Sequence, residues 1–244
     1  MNNLRASHDV EFHMSDSKYR RALPREMPSG LLLRIREAAD IEGLFELLSE
    51  ASFQHFGTGM PPYASADDVV IWLNSLSKNR FEPVAIIDNE VVGMGGLYVF
   101  DGRHNHMGSV FLAVKEKFQG RGIGRALMTS LIMASDLLLS LHRLQLNVFG
   151  DNERALQMYH DFGFEIEGRH RDFLQRRENY VNAYTMARIR DPALDNLSIT
   201  EMNASIRAAL SLVGQNRGTL PGGLRQEVAT RSHAADRACS RPIP

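Results

Sequence analysis

The chain is 244 residues long, carries 28 basic against 29 acidic side chains for a net charge of −1, and is 43% apolar. That length accommodates one domain, or one domain with tails, and the near-neutral balance excludes a dedicated nucleic-acid binder. The single cysteine, Cys239, rules out an intramolecular disulfide framework and a cysteine-built metal site, and no other residue pattern points to a metal.

Residues 1–30 are polar and irregular, close in Pro24, Pro28 and Gly30, and lack the charged-then-apolar run of a secretory signal. Leu31–Arg36 reads as a strand, and Asp40–Leu48 has helical spacing behind an acidic start. Gln54–Tyr63 reads as a loop by its glycines and prolines, and Ala66–Ser77 as a second helix carrying Trp72. Strands follow at Pro83–Asp88 and Val91–Phe100 across an Asn89-Glu90 turn, then around Val110–Val114. A glycine-rich turn opens into a helix from about Gly124 to Leu141, interrupted by Asp136 and too short for a membrane span. The chain therefore reads as cytoplasmic. The strand Leu144–Phe149, a short helix holding Tyr159, and strands near Phe164 and at Val181–Ile189 complete a domain over residues 31–190. Residues 191–244 read as a largely disordered extension: Asn203–Val213 has an amphipathic pattern, and past Gly214 the composition is Gly, Arg, Ala, Ser and Pro.

The glycine-rich turn carries the most chemistry. Leu112-Ala113-Val114 leads into Gln119-Gly120-Arg121-Gly122-Ile123-Gly124-Arg125, and a long apolar helix starts there. Alternating glycines uncover the backbone, so successive N–H groups can meet one anion where the helix adds its partial positive charge. Arg121 and Arg125 add full charges. A P-loop needs Gly-Lys-Ser/Thr, whereas Arg125 and Ala126 follow Gly124. A dinucleotide fingerprint needs a third glycine where Arg125 or Leu127 stands. The turn reads as a pyrophosphate cradle, and its Gln119-x-x-Gly122-x-Gly124 pattern after an apolar strand is similar to the coenzyme A pyrophosphate loop of the GNAT N-acetyltransferases.

A second block, Leu144–Phe149 followed by Gly150-Asp151-Asn152 and then Tyr159, Gly163 and Phe164, reads as strand, helix start, short helix and turn. Seven residues separate Asn152 from Tyr159, close to two helical turns, so the two share a side. Together the blocks resemble the GNAT N-acetyltransferases. The resemblance implies an α/β (α+β) acyl-CoA N-acyltransferase fold, with a central mixed, mostly antiparallel sheet flanked by helices. It implies acetyl-CoA as co-substrate, held by Leu112, Ala113 and Val114, by Gln119, Gly120, Arg121, Gly122, Ile123, Gly124 and Arg125, and by Asn152 and Tyr159. In such enzymes the strand before the cradle splays from the next one, and its backbone pairs with the pantetheine arm and supplies the oxyanion donor.

Acyl transfer from a thioester needs a neutral amine, an oxyanion donor and an acid for the leaving thiolate. Tyr159 matches the family's thiolate acid, since a phenol of pKa about 10 is protonated at neutral pH. Asn152 matches the asparagine that steers the coenzyme. The family's glutamate base, five residues earlier, is replaced by Asn147, which cannot take a proton. The base is then either His106, directly or through water, with His104 a weaker candidate, or a water chain with no single essential residue.

Within the family, Val148–Asn152, Tyr159, Gly163–Gly168 and Tyr180–Arg188 are similar to bacterial enzymes that acetylate free L-amino acids and short peptides. That resemblance makes His55, Tyr63 and Tyr180 candidate acceptor-site residues, and a homodimer through the C-terminal strands an expected assembly. Three functional readings stand: a small-molecule amine N-acetyltransferase, a protein or peptide N-acetyltransferase, and a non-catalytic acyl-CoA-binding module. Retention of both Asn152 and Tyr159 favours catalysis.

Overall fold

The structure, a computed structural model, describes residues 29–57, 65–75 and 79–192. Strand β1 (Leu32–Ile35) is followed by helices α1 (Ile41–Ser49), α2 (Ala51–Phe56) and α3 (Ala66–Ser75). Strands β2 (Arg80–Phe81), β3 (Pro83–Ile87), β4 (Glu90–Val99) and β5 (Met107–Val114) precede helix α4 (Ile123–Met133). Strand β6 (Arg143–Phe149), helix α5 (Glu153–Asp161) and strands β7 (Glu165–Arg176) and β8 (Asn179–Ile189) complete the described strands and α-helices.

One sheet runs β1-β3-β4-β5-β6-β8-β7, with β2 also on β4. Its pairings are antiparallel except β5 with β6. That parallel pair is joined only at Met107–Arg143, Gly108–Leu144 and Ser109–Gln145. Beyond it β5 stays paired with β4 to Val114, and β6 stays with β8 to Phe149. Each strand follows its outer neighbour, so a gap opens between them.

Strand alternation sends neighbouring residues to opposite faces of the sheet. Val110, Leu144, Leu146 and Val148 join Met128, Leu131, Tyr159 and Phe162 in a core beneath α4 and α5. Ala113, with Phe111 packed alongside, belongs to the core under α1 and α3, which holds Leu44, Leu47, Leu48, Val69 and Leu73. The gap therefore connects two differently built faces. No helix among the described residues is long and apolar enough to cross a membrane.

Two local readings change, at α2 and in the helix after the cradle, and the expected start of α3 gains a cap. Gln54–Phe56 belong to α2, because the extended backbone of Glu50 breaks the first helix and a new turn restarts at once, with Gln54 Nε2 donating to the Leu48 carbonyl at 2.7 Å. Helix α3 starts in a capping box, in which Asp68 Oδ2 accepts from the Ser65 N–H at 2.9 Å and Ser65 Oγ accepts from the Asp68 N–H at 3.3 Å. The helix after the cradle ends its α-helical run at Met133 and widens into a π-helical turn over Ala134–Leu138. That turn carries Asp136, which accepts two bonds from the Arg188 guanidinium of β8, at 2.9 and 2.7 Å.

The two partners of this ion pair are 4% and 3% exposed at the side chain. Removing one partner of a buried pair leaves the other poorly compensated in a dry site. Arg188→Met is therefore expected to cost about 3–5 kcal/mol in urea denaturation. The Asp136→Leu, Arg188→Met double variant should recover most of that loss.

Candidate active site

The cradle forms as the glycine spacing requires. Gly120 (φ +82°) and Gly122 (φ +88°) take the left-handed conformation that side chains disfavour, and Gly122 stands directly before α4. No side chain caps this helix start among the described residues, so its first N–H groups are left for a ligand. Gln119 Nε2 donates to the Val114 carbonyl at 3.1 Å and clasps the turn to the end of β5.

The gap edge of β5 can be read from its bonds. Lys115 N–H donates to Val92 O and Met107 O accepts from Phe100 N–H, so odd-numbered residues point their backbone to β4. His106 O accepts from Arg143 N–H on the other side. Past the Ser109–Gln145 pair, which takes up the Val110 N–H, Leu112 consequently turns its N–H and C=O into the gap and Val114 its N–H, the Val114 carbonyl being held by Gln119. Ala113 does not: its backbone pairs with Met94, and only its methyl reaches the far face.

A cleft of about 1320 Å³ runs through the gap. On the α4–α5 side it is lined by Gln119 through Arg125, Asn152, Met158 and Tyr159. On the other side it meets Phe53, Phe56, Trp72, Tyr98, Phe111 and Asn147. The Phe111 ring stacks on Tyr98 at 5.8 Å and takes Trp72 edge-on at 5.5 Å. The Tyr98 hydroxyl donates to buried Glu82 at 3.2 Å, and burial, then the Glu82 charge, pushes that phenol far above its usual range. Gly96 makes room for this wall, since a Cβ there would lie 2.2 Å from the Phe111 ring.

Tyr159 lines the cleft at 7% exposure, with its ring edge-on to Phe164 at 6.0 Å. Its hydroxyl makes no hydrogen bond to the described residues, and burial pushes its pKa up to about 12. Asn152 caps α5, its Oδ1 accepting from the Ala155 N–H at 3.2 Å, which leaves its amide nitrogen for the cleft.

Other expected residues fall elsewhere. Arg125 is paired with Asp161, whose carboxyl it holds below the usual range, so its charge is already engaged at the cradle. Arg154 of α5 brings another cation to the turn: its Nη1 lies 3.5 Å from Gln119 Oε1, and its Nη2 would stand 3.4 Å from a Cβ at Gly120. The only signal for it in the sequence is its place in the helical turn after Asn152. His106 is exposed at the start of β5, before the strands part, and does not line the cleft. His55 is exposed on α2, where its ring and carbonyl are held by Arg176 of β7, which also pairs with Asp151. Its neighbours Phe56 and Gly57 reach the cleft instead. Tyr180 is 61% exposed and does not line the cleft, and Tyr63 lies outside the described residues.

Comparison with known proteins agrees with this architecture. The family model described as "Acetyltransferase (GNAT) family" matches residues 41–164. L-amino acid N-acetyltransferase AaaT of Escherichia coli (strain K12) is 38% identical over 108 residues, 44% of this chain and 67% of that protein. Spermine/spermidine N(1)-acetyltransferase of Bacillus subtilis (strain 168) is 31% identical over 94 residues, 36% of this chain and 62% of that one. Among solved structures, spermidine N-acetyltransferase from Vibrio cholerae in complex with CoA and spermine superposes with a TM-score of 0.59 at 22% identity. It covers 67% of this chain and 97% of its own, a likeness that shows the fold. With the glycine cradle, the parted strands and the Asn152–Tyr159 helix all in place, the chain belongs to the GNAT acetyltransferase family, the acetyl-CoA-dependent acyltransferases.

Proposed function

We propose that this enzyme transfers an acetyl group from acetyl-CoA to the primary amine of a small molecule, a free amino acid or short peptide, in the cytoplasm. One observation carries the reading: the cleft has a glycine turn and an uncapped helix start at one face of the sheet and an aromatic-walled chamber at the other, joined through the gap beside β5. The pyrophosphate sits on the Gly120–Gly124 turn, and the pantetheine arm pairs with the exposed backbone of Leu112 and Val114. The thioester carbonyl then lies in the gap, where a β5 N–H stabilises the oxyanion. The hydroxyl of Tyr159 serves the departing thiolate. Proton removal from the acceptor ammonium goes through water, since His106 lies outside the cleft and Asn147 has no basic atom.

Phe53, Phe56, Trp72 and Phe111 offer an apolar surface suited to an acceptor with an apolar body. Release of free thiol from acetyl-CoA, measured over a panel of amino acids, short peptides and spermidine, tests the reading. Turnover is expected with amino acids carrying apolar side chains. Acetyl-CoA binding without turnover of any amine would leave a binding module instead.

A further inference from the structure

We propose, on the small-molecule reading above, that Asn147 selects the acceptor by donating a hydrogen bond from its side-chain amide to a carbonyl or carboxylate carried beside the acceptor amine. Leu146 and Val148 on either side of it point into the core, so alternation turns Asn147 to the acceptor face, where it is exposed and lines the cleft. Thr185 stands opposite it on β8, and its hydroxyl donates to Asn147 Oδ1 at 2.9 Å. The same hydroxyl oxygen lies 2.7 Å from His170 Nε2 on β7.

A hydroxyl has one proton to give. With that proton on Asn147, the Thr185 oxygen accepts from the Nε2–H of His170. The three strands thus carry a directed chain, His170 to Thr185 to Asn147, which engages the amide oxygen within the sheet. What remains for a ligand is the Nδ2 group, a pure donor. A carboxylate or peptide carbonyl satisfies it. A charged polyamine carries only N–H donors and does not. Asp151, a carboxylate on the same cleft, is paired with Arg176. Thr185 and His170 act here as positioning residues.

Steady-state kinetics on the full chain test this, using the best amino acid of the acceptor panel and the amine made by removing its carboxylate. Hydrogen bonds to charged groups are strong enough that Asn147→Ala and Asn147→Asp should raise the KM for the amino acid by about ten- to a hundredfold. The KM for the decarboxylated amine and for acetyl-CoA should stay within about twofold. Thr185→Val should produce a smaller loss in the same direction, and Thr185→Ser should restore the wild-type value. Equal losses for both acceptors, or an Asn147→Asp enzyme with raised kcat, would overturn this assignment alone. Preference for spermidine over every carboxylate-bearing amine would overturn both this and the functional reading.

Discussion

Tyr159→Phe is expected to lower kcat by about ten- to a hundredfold while the KM for acetyl-CoA stays nearly unchanged. Phenylalanine keeps the ring in its packing against Phe164 and within the core beneath α4 and α5. What it removes is a hydroxyl with no partner among the described residues, so stability should hold. Burial raises that phenol to about 12, well above the value of about 8.5 for a thiol. Full proton transfer to the coenzyme A thiolate is then uphill, and the hydroxyl acts as a hydrogen-bond donor to the developing charge. A hydrogen bond to a charged group contributes about 1.5–3 kcal/mol, which sets the size of the loss. The raised pKa also means that Tyr159 stays protonated through the alkaline range in which it normally would ionise. No fall in kcat below about pH 11 should therefore trace to it, and the kcat–pH profiles of wild type and Tyr159→Phe should run parallel there. A Tyr159→Phe enzyme with wild-type kcat, measured where chemistry limits turnover, would reduce Tyr159 to a packing residue.

Gly124→Val is expected to raise the KM for acetyl-CoA by about ten- to a hundredfold, the equivalent of one lost charge-assisted hydrogen bond. Acceptor KM should change by no more than about twofold. Gly124 is a better probe than its neighbours. Gly120 and Gly122 hold positive φ, so any side chain there strains the backbone and confuses folding with binding. At Gly124 an added Cβ meets Met158 Sδ at 3.6 Å, Val114 Cγ2 at 3.8 Å and Leu112 Cδ1 at 3.9 Å, all ordinary contacts. Valine is also no worse than glycine inside a helix. The chain should fold, and the valine methyls should stand where phosphate must approach backbone. Titration calorimetry with acetyl-CoA separates this from a change in turnover. Unchanged affinity in a folded Gly124→Val protein would move the coenzyme away from the cradle.

The glycine turn and the start of α5 were legible because they are local. Glycine spacing, the switch from strand to helix at Gly122, and two helical turns from Asn152 to Tyr159 all lie within short windows, where backbone sterics and periodicity decide. The helix restart at Ala51 was equally local but hidden, since one extended residue, Glu50, interrupts an otherwise continuous pattern.

By itself, then, the sequence determined the order of the main strands and helices, though not α2 or the short β2, together with the glycine turn and the face shared by Asn152 and Tyr159. Tertiary structure alone decided which charges are engaged and which strands part. Arg125 meets Asp161 and Arg154 reaches Gln119 only because the fold brings α5 to the start of α4 and to the turn before it, 30-odd residues away in the chain. Asn147 gains its partner Thr185 through the β6–β8 register, and the gap exists because β5 and β6 each keep to an outer neighbour. Periodicity records which way a side chain points relative to its own backbone. Its partner is set by the register between distant segments, which depends on the burial of the whole sheet.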